Sequence, residues 1–132
     1  SYEKKKVSLN KILNMELKKT GKLFEFCCVA PILINKNKNN IKSFSRIGKD
    51  IGLLFQIVDD MIDFKGATKL AGKITKKDIK KGKATIISLL GYENAVKYTN
   101  KLKQNIYNKL KSYNYKANDL RETINFIMER NK

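Results

Sequence analysis

Histidine and tryptophan are absent from this chain of 132 residues, and cysteine occurs only twice. Cys27 and Cys28 are adjacent, so disulfide geometry does not favour their pairing with each other. The absence of histidine removes the usual partner of cysteine in a zinc site. We therefore expect both thiols to be small buried side chains of a cytoplasmic protein, where cysteines stay reduced.

Long hydrophobic runs are also missing. The longest apolar run, 26–34, is too short to cross a bilayer, and no signal peptide is visible. No membrane partner is therefore expected. Strict alternation of apolar and polar residues, which is typical of β-strands, occurs nowhere in the sequence. With 132 residues the chain is long enough for one domain of ordinary size, and the sequence predicts an all-α protein.

Acidic residues are scarce: there are 12 against 29 basic residues, giving a formal net charge of +17. Such an excess fits nucleic acid, an anionic membrane or a polyphosphate substrate as partner, or a lysine-rich composition alone. The Tyr and Phe residues recur at helical core spacing and do not alternate with arginine as a stacking platform would. Nucleic acid is therefore not expected, although a basic nucleic-acid-binding helical module is an alternative.

Helical periodicity and capping signals divide the chain. Ser8 is a good residue to begin the first helix, Pro31 should kink or end the second, and Gly91 should end the fourth. The stretch 35–40 is a predicted loop, and 64–83 is a predicted glycine-containing connection. The predicted helices are 8–17, 19–34, 41–63, 85–90, 92–113 and a last one that begins at residue 118 or 119.

Three of the few acidic residues lie within five positions, as Asp59, Asp60 and Asp63. Like charges at this spacing destabilise a helix, and carboxylates near its C-terminal end oppose the helix dipole. Mg²⁺ would remove both penalties, since it takes one or two carboxylates and completes its shell with water and phosphate oxygens. A solvated acidic patch is the alternative. The apolar face of the same helix is formed by Ile47, Ile51, Leu54, Val58 and Ile62.

Basic segments with glycine flank this cluster in sequence. They are Lys18 to Gly21, the pair Gly72-Lys73, and the segment from Asp78 to Thr85 that contains Gly82-Lys83. A glycine beside a lysine lets the backbone approach a phosphate while the ammonium group reaches it. Each segment alone is an ordinary lysine-rich stretch. Together with the carboxylates they indicate a site for a magnesium–diphosphate complex.

The order of these residues resembles the second aspartate-rich region of the trans-polyprenyl diphosphate synthases. The resemblance covers the chain from about residue 9, and its ending, 130–132, is similar to that of bacterial farnesyl diphosphate synthases (geranyltranstransferases). It is carried by Phe55-Gln56-x-x-Asp59-Asp60-x-x-Asp63, followed by Gly72-Lys73, Asp78 and Lys83-x-Thr85, with Lys19-Thr20-Gly21 where the family has its Lys-Thr pair.

The resemblance implies the all-α isoprenoid synthase fold and a prenyltransferase. Such an enzyme ionises an allylic diphosphate with the help of Mg²⁺, isopentenyl diphosphate attacks the carbocation, and a proton is lost. Geranyl to farnesyl diphosphate is the favoured step. The implied roles are metal binding by Asp59, Asp60, Asp63 and Asp78, catalysis by Lys19, Thr20 and Gln56, and substrate binding by Phe55, Lys73 and Lys83.

One expected feature is missing. The family carries two aspartate-rich motifs, but no earlier motif of this kind precedes Asp59 in this sequence. Residues 1–132 are therefore expected to be the C-terminal portion of a synthase, inactive alone and with exposed apolar faces, from a protein that is usually a homodimer. The alternatives are a non-catalytic partner subunit of a complete synthase and, within the same fold, a terpene cyclase.

Overall fold

The computed structural model describes residues 8–36, 38–71 and 85–130, and within these ranges it is helical apart from short connections, without strands. The all-α prediction is therefore confirmed. Short 3₁₀ segments cover Lys38–Asn40 and Lys111–Ala117. The six α-helices are α1 (Leu9–Glu16), α2 (Lys22–Ile34), α3 (Ile41–Ala71), α4 (Ile86–Leu90), α5 (Tyr92–Leu110) and α6 (Asn118–Glu129).

Helices α1 and α2 run into each other through one π-helical turn, Leu17–Gly21. The predicted break near residue 18 is therefore a change of helical pitch, and the chain stays helical from Leu9 to Ile34. Pro31 lies inside α2 and does not end it. A proline in the last turn removes one backbone hydrogen bond, which leaves the remaining three residues of the helix in place.

The long helix α3 is the centre of the molecule, because α1, α2, α4, α5 and α6 all contact it. Its predicted apolar face is confirmed: four of the five residues are buried, and Ile62 packs against them half-buried. Further residues of α3 and of the other helices complete the core. The buried apolar residues of the described chain outside that face are Ile12, Ile57, Met61, Ile86, Ile87, Ala95, Leu102, Ile106, Leu110, Ala117, Ile124 and Ile127.

Helix α3 ends at Ala71, eight residues beyond the predicted end at Asp63. Gly66 lowers helix propensity and made the shorter helix the better expectation. The ring of Phe64 stacks on Tyr92 of α5 with centroids 5.4 Å apart, which favours the helical path beyond Asp63. The hydroxyl of Thr68 also donates to the carbonyl of Phe64 at 2.9 Å. Tertiary contact therefore outweighs the local glycine here.

A tight turn joins α5 to α6 and fixes where the last helix lies. The chain takes a positive φ of 50° at Asn114. The guanidinium of Arg121 donates to the carbonyl of Asn114 at 2.6 Å and to that of Leu110 at 3.0 Å. Helix α5 thus ends at Leu110 and not at Tyr113, and the last helix follows Ala117 without a side-chain cap.

The outer side of α2 exposes apolar groups. Leu23 is 65% exposed, Phe26 67% and Ile34 78%, which agrees with the expectation that this chain presents apolar helix faces. Cys27 is exposed too and Cys28 is only half-buried, so the prediction that both cysteines are buried was wrong. The apolar run 26–34 forms a helix with one covered side, and Cys27 lies on the other. Within the described ranges, no helix is long and apolar enough to serve as a membrane span.

Candidate functional site

Gly48, Gly52, Gln56 and Asp60 follow one another at intervals of four residues, so they form one stripe along α3. The two glycines let α2 approach closely. A Cβ atom added at Gly48 would lie 2.7 Å from the Cα of Glu25, and one added at Gly52 would lie 2.7 Å from the Cα of Gly21. Backbone therefore packs on backbone where the two helices cross.

This close approach brings Thr20 to the next residue of the stripe. The Thr20 hydroxyl donates to the side-chain oxygen Oε1 of Gln56 at 3.0 Å, although the two residues are 36 positions apart. The amide nitrogen of Gln56 in turn donates to Oδ1 of Asp60 at 3.4 Å. Thr20 lies in the π-helical turn, a feature that is frequent at functional sites. The pairing of Thr20 with Gln56 joins two residues that the sequence predicts to be catalytic.

Asp60 determines which group donates and which accepts in the hydrogen-bonded series Thr20–Gln56–Asp60. Because a carboxylate accepts only, the Gln56 amide must present its NH₂ group to Asp60 and its oxygen to Thr20. The threonine proton is therefore used, and the lone pairs of its oxygen remain to act as acceptors. Gln56 itself is 5% exposed. The described structure thus has a fixed hydroxyl dipole beside the acidic cluster.

Asp60 is the half-buried aspartate that receives the hydrogen bond from Gln56. Burial raises the pKa of this carboxyl, and the charges of Asp63 and Asp59 add to the rise, while the hydrogen bond from Gln56 and the charge of Lys19 oppose it. Its other oxygen, Oδ2, is buried and has no hydrogen-bond partner among the described residues. A bound cation would satisfy such an oxygen.

Asp59 lies on the adjacent stripe and is already paired. A guanidinium nitrogen of Arg130, at the end of α6, donates to Asp59 Oδ1 at 2.6 Å. The same guanidinium lies over the ring of Phe55, 4.7 Å from its centroid, and Phe55 also contacts Phe24 at 5.4 Å. Sequence reasoning gave Arg130 no role. The only signal was its place in the chain ending that resembles the family.

Hard oxygen donors are what the site offers a metal ion. Asp63 is exposed one turn beyond Asp59, and Asp60 turns toward Gln56. Over the described ranges, no three acidic or cysteine side chains come close enough to form a metal site by themselves. The arrangement therefore fits a cation such as Mg²⁺, which takes one or two carboxylates and draws its other ligands from water and phosphate.

Three predicted site residues, Lys73, Asp78 and Lys83, lie outside the residues that the structure describes. Thr85, next to them, caps α4: its side chain accepts from the backbone of Ser88, whose hydroxyl in turn accepts from the backbone N–H of Thr85. Lys19 is exposed and acts electrostatically on Asp60. The described part of the site therefore joins Lys19, Thr20, Gln56 and the three aspartates of α3.

Comparison with known proteins places these residues in a wider group. The profile of the family described as polyprenyl synthetase matches residues 1–125. The chain is 36% identical over 131 residues to the farnesyl diphosphate synthase of Micrococcus luteus, a match that covers 98% of this chain and 45% of that protein. It is 30% identical over 132 residues to the geranylgeranyl diphosphate synthase of Cyanophora paradoxa, covering 99% of this chain and 44% of that protein.

A solved structure gives the same result. The crystal structure of an FPP/GFPP synthase from Zymomonas mobilis in its apo form superposes with a TM-score of 0.76 at 33% identity, over 95% of this chain and 41% of that one. The helices described above thus have the isoprenoid synthase fold. The chain spans less than half the length of these relatives. On the extent of the sequence match and the shared fold, it belongs to the polyprenyl synthetase family.

Proposed function

We propose that the protein to which this chain belongs is a short-chain trans-prenyltransferase that condenses isopentenyl diphosphate with an allylic diphosphate. The conversion of geranyl to farnesyl diphosphate is the favoured reaction. The single observation that carries the proposal is the hydrogen-bonded series Thr20–Gln56–Asp60, which runs from the π-helical turn into the aspartate cluster. Family membership supplies the reaction class.

In this proposal Asp59 and Asp63 hold Mg²⁺, and Asp60 supports the site from its buried position. When bound, the ion supplies neutralisation of the departing diphosphate and an anchor for its oxygens. Two carboxylates are enough to hold the ion, because Mg²⁺ keeps several water and phosphate ligands. Pairing Asp60 with Gln56 holds the carboxyl group in one orientation beside the two ligands.

Thr20 is the group that we assign to the developing positive charge on the allylic substrate. Its proton is directed to Gln56, so the lone pairs of its oxygen are left for the substrate. A dipole that is already fixed stabilises a cation without having to reorganise. Gln56 then acts by orienting Thr20, since one lone pair of its own oxygen accepts that hydroxyl. This refines the roles given by the sequence, in which both dipoles faced the cation.

The remaining side chains bind the substrate in our proposal. Lys19 contacts the diphosphate as a point charge, and Phe55, half-buried beside Phe24, lines the apolar path of the growing chain. Lys73 and Lys83 reach the same diphosphate, and Asp78 acts on the metal through water.

The proposal extends to the whole protein. Residues 1–132 form the C-terminal portion of the synthase domain, and the first aspartate-rich motif and the isopentenyl diphosphate site come from residues outside this sequence. The chain alone is then inactive, and the complete protein is a cytoplasmic homodimer. The exposed apolar side of α2 supports this proposal, because such a face is suited to contact with further helices.

The test is product formation from geranyl and isopentenyl diphosphates with Mg²⁺. We would compare the chain of 132 residues with the longest reading frame of its gene that contains these residues, and with the Asp59→Ala variant of that longer protein. The expected result is farnesyl diphosphate from the longer protein only, abolished by Asp59→Ala. An inert longer protein would contradict the proposal and favour a non-catalytic partner subunit.

A further inference from the structure

Arg130 joins the last helix to the aspartate cluster. Its guanidinium donates to Asp59 Oδ1 at 2.6 Å, and the side chains of Arg130 and Asp59 are 30% and 42% exposed. The guanidinium also covers the face of Phe55. A cation–π contact of this kind holds the arginine over the site while it pairs with the carboxylate. Arg130 thus lies on two residues to which the proposed function gives roles.

This contact conflicts with metal binding as long as no other anion is present. A divalent cation and a guanidinium both bind carboxylate oxygens, and Oδ1 of Asp59 is already taken. If Mg²⁺ arrives alone, its charge repels the guanidinium that already binds Asp59, so each cation weakens the contact of the other with this carboxylate. If it arrives with a diphosphate, the guanidinium gains phosphate oxygens, which it binds well because its planar fork matches them.

We propose that Arg130 is a positioning residue that couples binding of the metal to binding of the diphosphate. It acts as an internal counter-ion of Asp59 in the absence of substrate, and it transfers from Asp59 to the diphosphate when the magnesium–diphosphate complex arrives. The inference rests on the proposed function, because it requires Asp59 to be a ligand. Its consequence is that Mg²⁺ alone binds weakly while the complex binds well, so the metal site fills together with substrate.

The experiment measures two dissociation constants by titration calorimetry on the 132-residue chain, one for Mg²⁺ alone and one for preformed magnesium–pyrophosphate. The variants are Arg130→Gln, Arg130→Lys and, as a control of equal charge, Arg46→Gln, which changes an exposed arginine nearer the opposite end of α3. Circular dichroism checks that each variant is helical. The constant for Mg²⁺ alone divided by the constant for magnesium–pyrophosphate shows how much better the site binds the metal with diphosphate than the metal alone.

For Arg130→Gln we expect Mg²⁺ alone to bind roughly two- to fivefold more tightly, the range that a partly exposed ion pair allows, while magnesium–pyrophosphate binds more weakly. The dissociation constant for Mg²⁺ alone, divided by that for magnesium–pyrophosphate, therefore falls. Arg130→Lys, which keeps the charge but not the planar fork, should restore only part of the ratio, and Arg46→Gln should leave it unchanged. This pattern would not follow from a merely structural role of Arg130, which would move both constants in the same direction.

Two results would overturn the inference, and they differ in meaning. If the unmodified chain binds both ligands but Arg130→Gln keeps the ratio, Arg130 does not couple them, although the metal site stands. If the unmodified chain binds neither ligand, the aspartates of this chain do not hold Mg²⁺, and the proposed metal roles fail together with the inference. A ratio that falls equally in Arg46→Gln would reduce the effect to net charge and would also overturn it.

Discussion

The two halves of α3 solve different problems with the same helical stripe. In the first half, 41–55, the stripe consists of Gly48 and Gly52, and the missing side chains let the backbone of α2 approach. In the second half, 56–71, the stripe continues as Gln56 and Asp60, which bond to Thr20 and to each other. Close packing of the first half therefore positions the polar groups of the second. Substitutions in the stripe should therefore destabilise the fold in the first half and impair the site in the second.

The largest difference between the halves should appear in matched leucine truncations. Leu54 is fully buried in the first half, and Leu70 is 61% exposed near the end of the second. Truncating a buried leucine costs about 2–5 kcal/mol, because contacts are lost and a cavity remains, whereas an exposed position changes stability by about 0.5 kcal/mol or less. Urea unfolding of Leu54→Ala and Leu70→Ala measures both. Equal losses would mean that the exposed end of α3 is packed in solution.

Glycine-to-alanine substitutions should divide the halves next. Gly48→Ala would place a methyl group 2.7 Å from backbone atoms of Phe24 and Glu25, and such overpacking costs about 1–3 kcal/mol. The matched control is Gly66→Ala in the same helix, where no atom lies within 4 Å of the new methyl group. That control should stabilise the chain by about 0.5–1 kcal/mol, because alanine is the better helix former. We expect the denaturant midpoint to fall for Gly48→Ala and to rise for Gly66→Ala. If both substitutions were stabilising, the close contact of α2 with α3 would be contradicted.

The contacts between Glu25 and the first half of α3 predict how the stability of the chain depends on pH. Glu25 of α2 accepts hydrogen bonds from Ser45 at 2.6 Å and Lys22 at 3.0 Å, and it pairs with Lys49 at 3.3 Å. The Ser45 hydrogen bond and these lysines lower the pKa of Glu25 from 4.5 to about 2. A lowered folded-state pKa gives stability that is complete above the unfolded value and is lost as pH falls through the folded one.

Unfolding free energies should therefore converge between the original chain and Glu25→Gln as pH falls from about 4.5 toward 2. At neutral pH the variant should be the less stable of the two. Glu122→Gln, which changes an exposed glutamate on α6 outside these ion pairs, serves as the control for the loss of one negative charge. If the difference between the chain and Glu25→Gln stays constant over this range, the ion pairs around Glu25 do not form in solution.

The smallest expected change in stability is a stabilisation, and it comes from Asp60 in the second half of α3. Asp60 has a buried oxygen without a hydrogen-bond partner in the described structure, and burial raises its pKa. Asp60→Asn removes a charge that burial disfavours and keeps the shape, so it should stabilise the metal-free chain at pH 7, by less than about 1 kcal/mol because its unpaired amide N–H group offsets part of the gain. A destabilised variant in denaturant unfolding would show that Asp60 already has a partner in solution.

The two halves also differ in how much of their structure could be predicted from the sequence. The buried face of α3 and the aspartate cluster follow from helical spacing, so both could be predicted. The contact of Thr20 with Gln56 could not, because it depends on how deeply two glycines let the helices approach. The pair Arg130–Asp59 depends on the turn at Asn114 that directs α6. Exposure of Cys27 follows from which side of α2 is covered, a matter of tertiary packing.

The most direct test of the account is whether the second half of α3 binds a magnesium–diphosphate complex. Calorimetric titration of pyrophosphate would be run in Mg²⁺ and in EDTA, on the unmodified chain and on Asp59→Asn, at one fixed salt concentration. The account predicts binding that requires Mg²⁺ and is lost in Asp59→Asn. Equal binding in EDTA or in the variant would mean that the net charge of +17 attracts pyrophosphate by itself, and it would contradict a metal site at these aspartates.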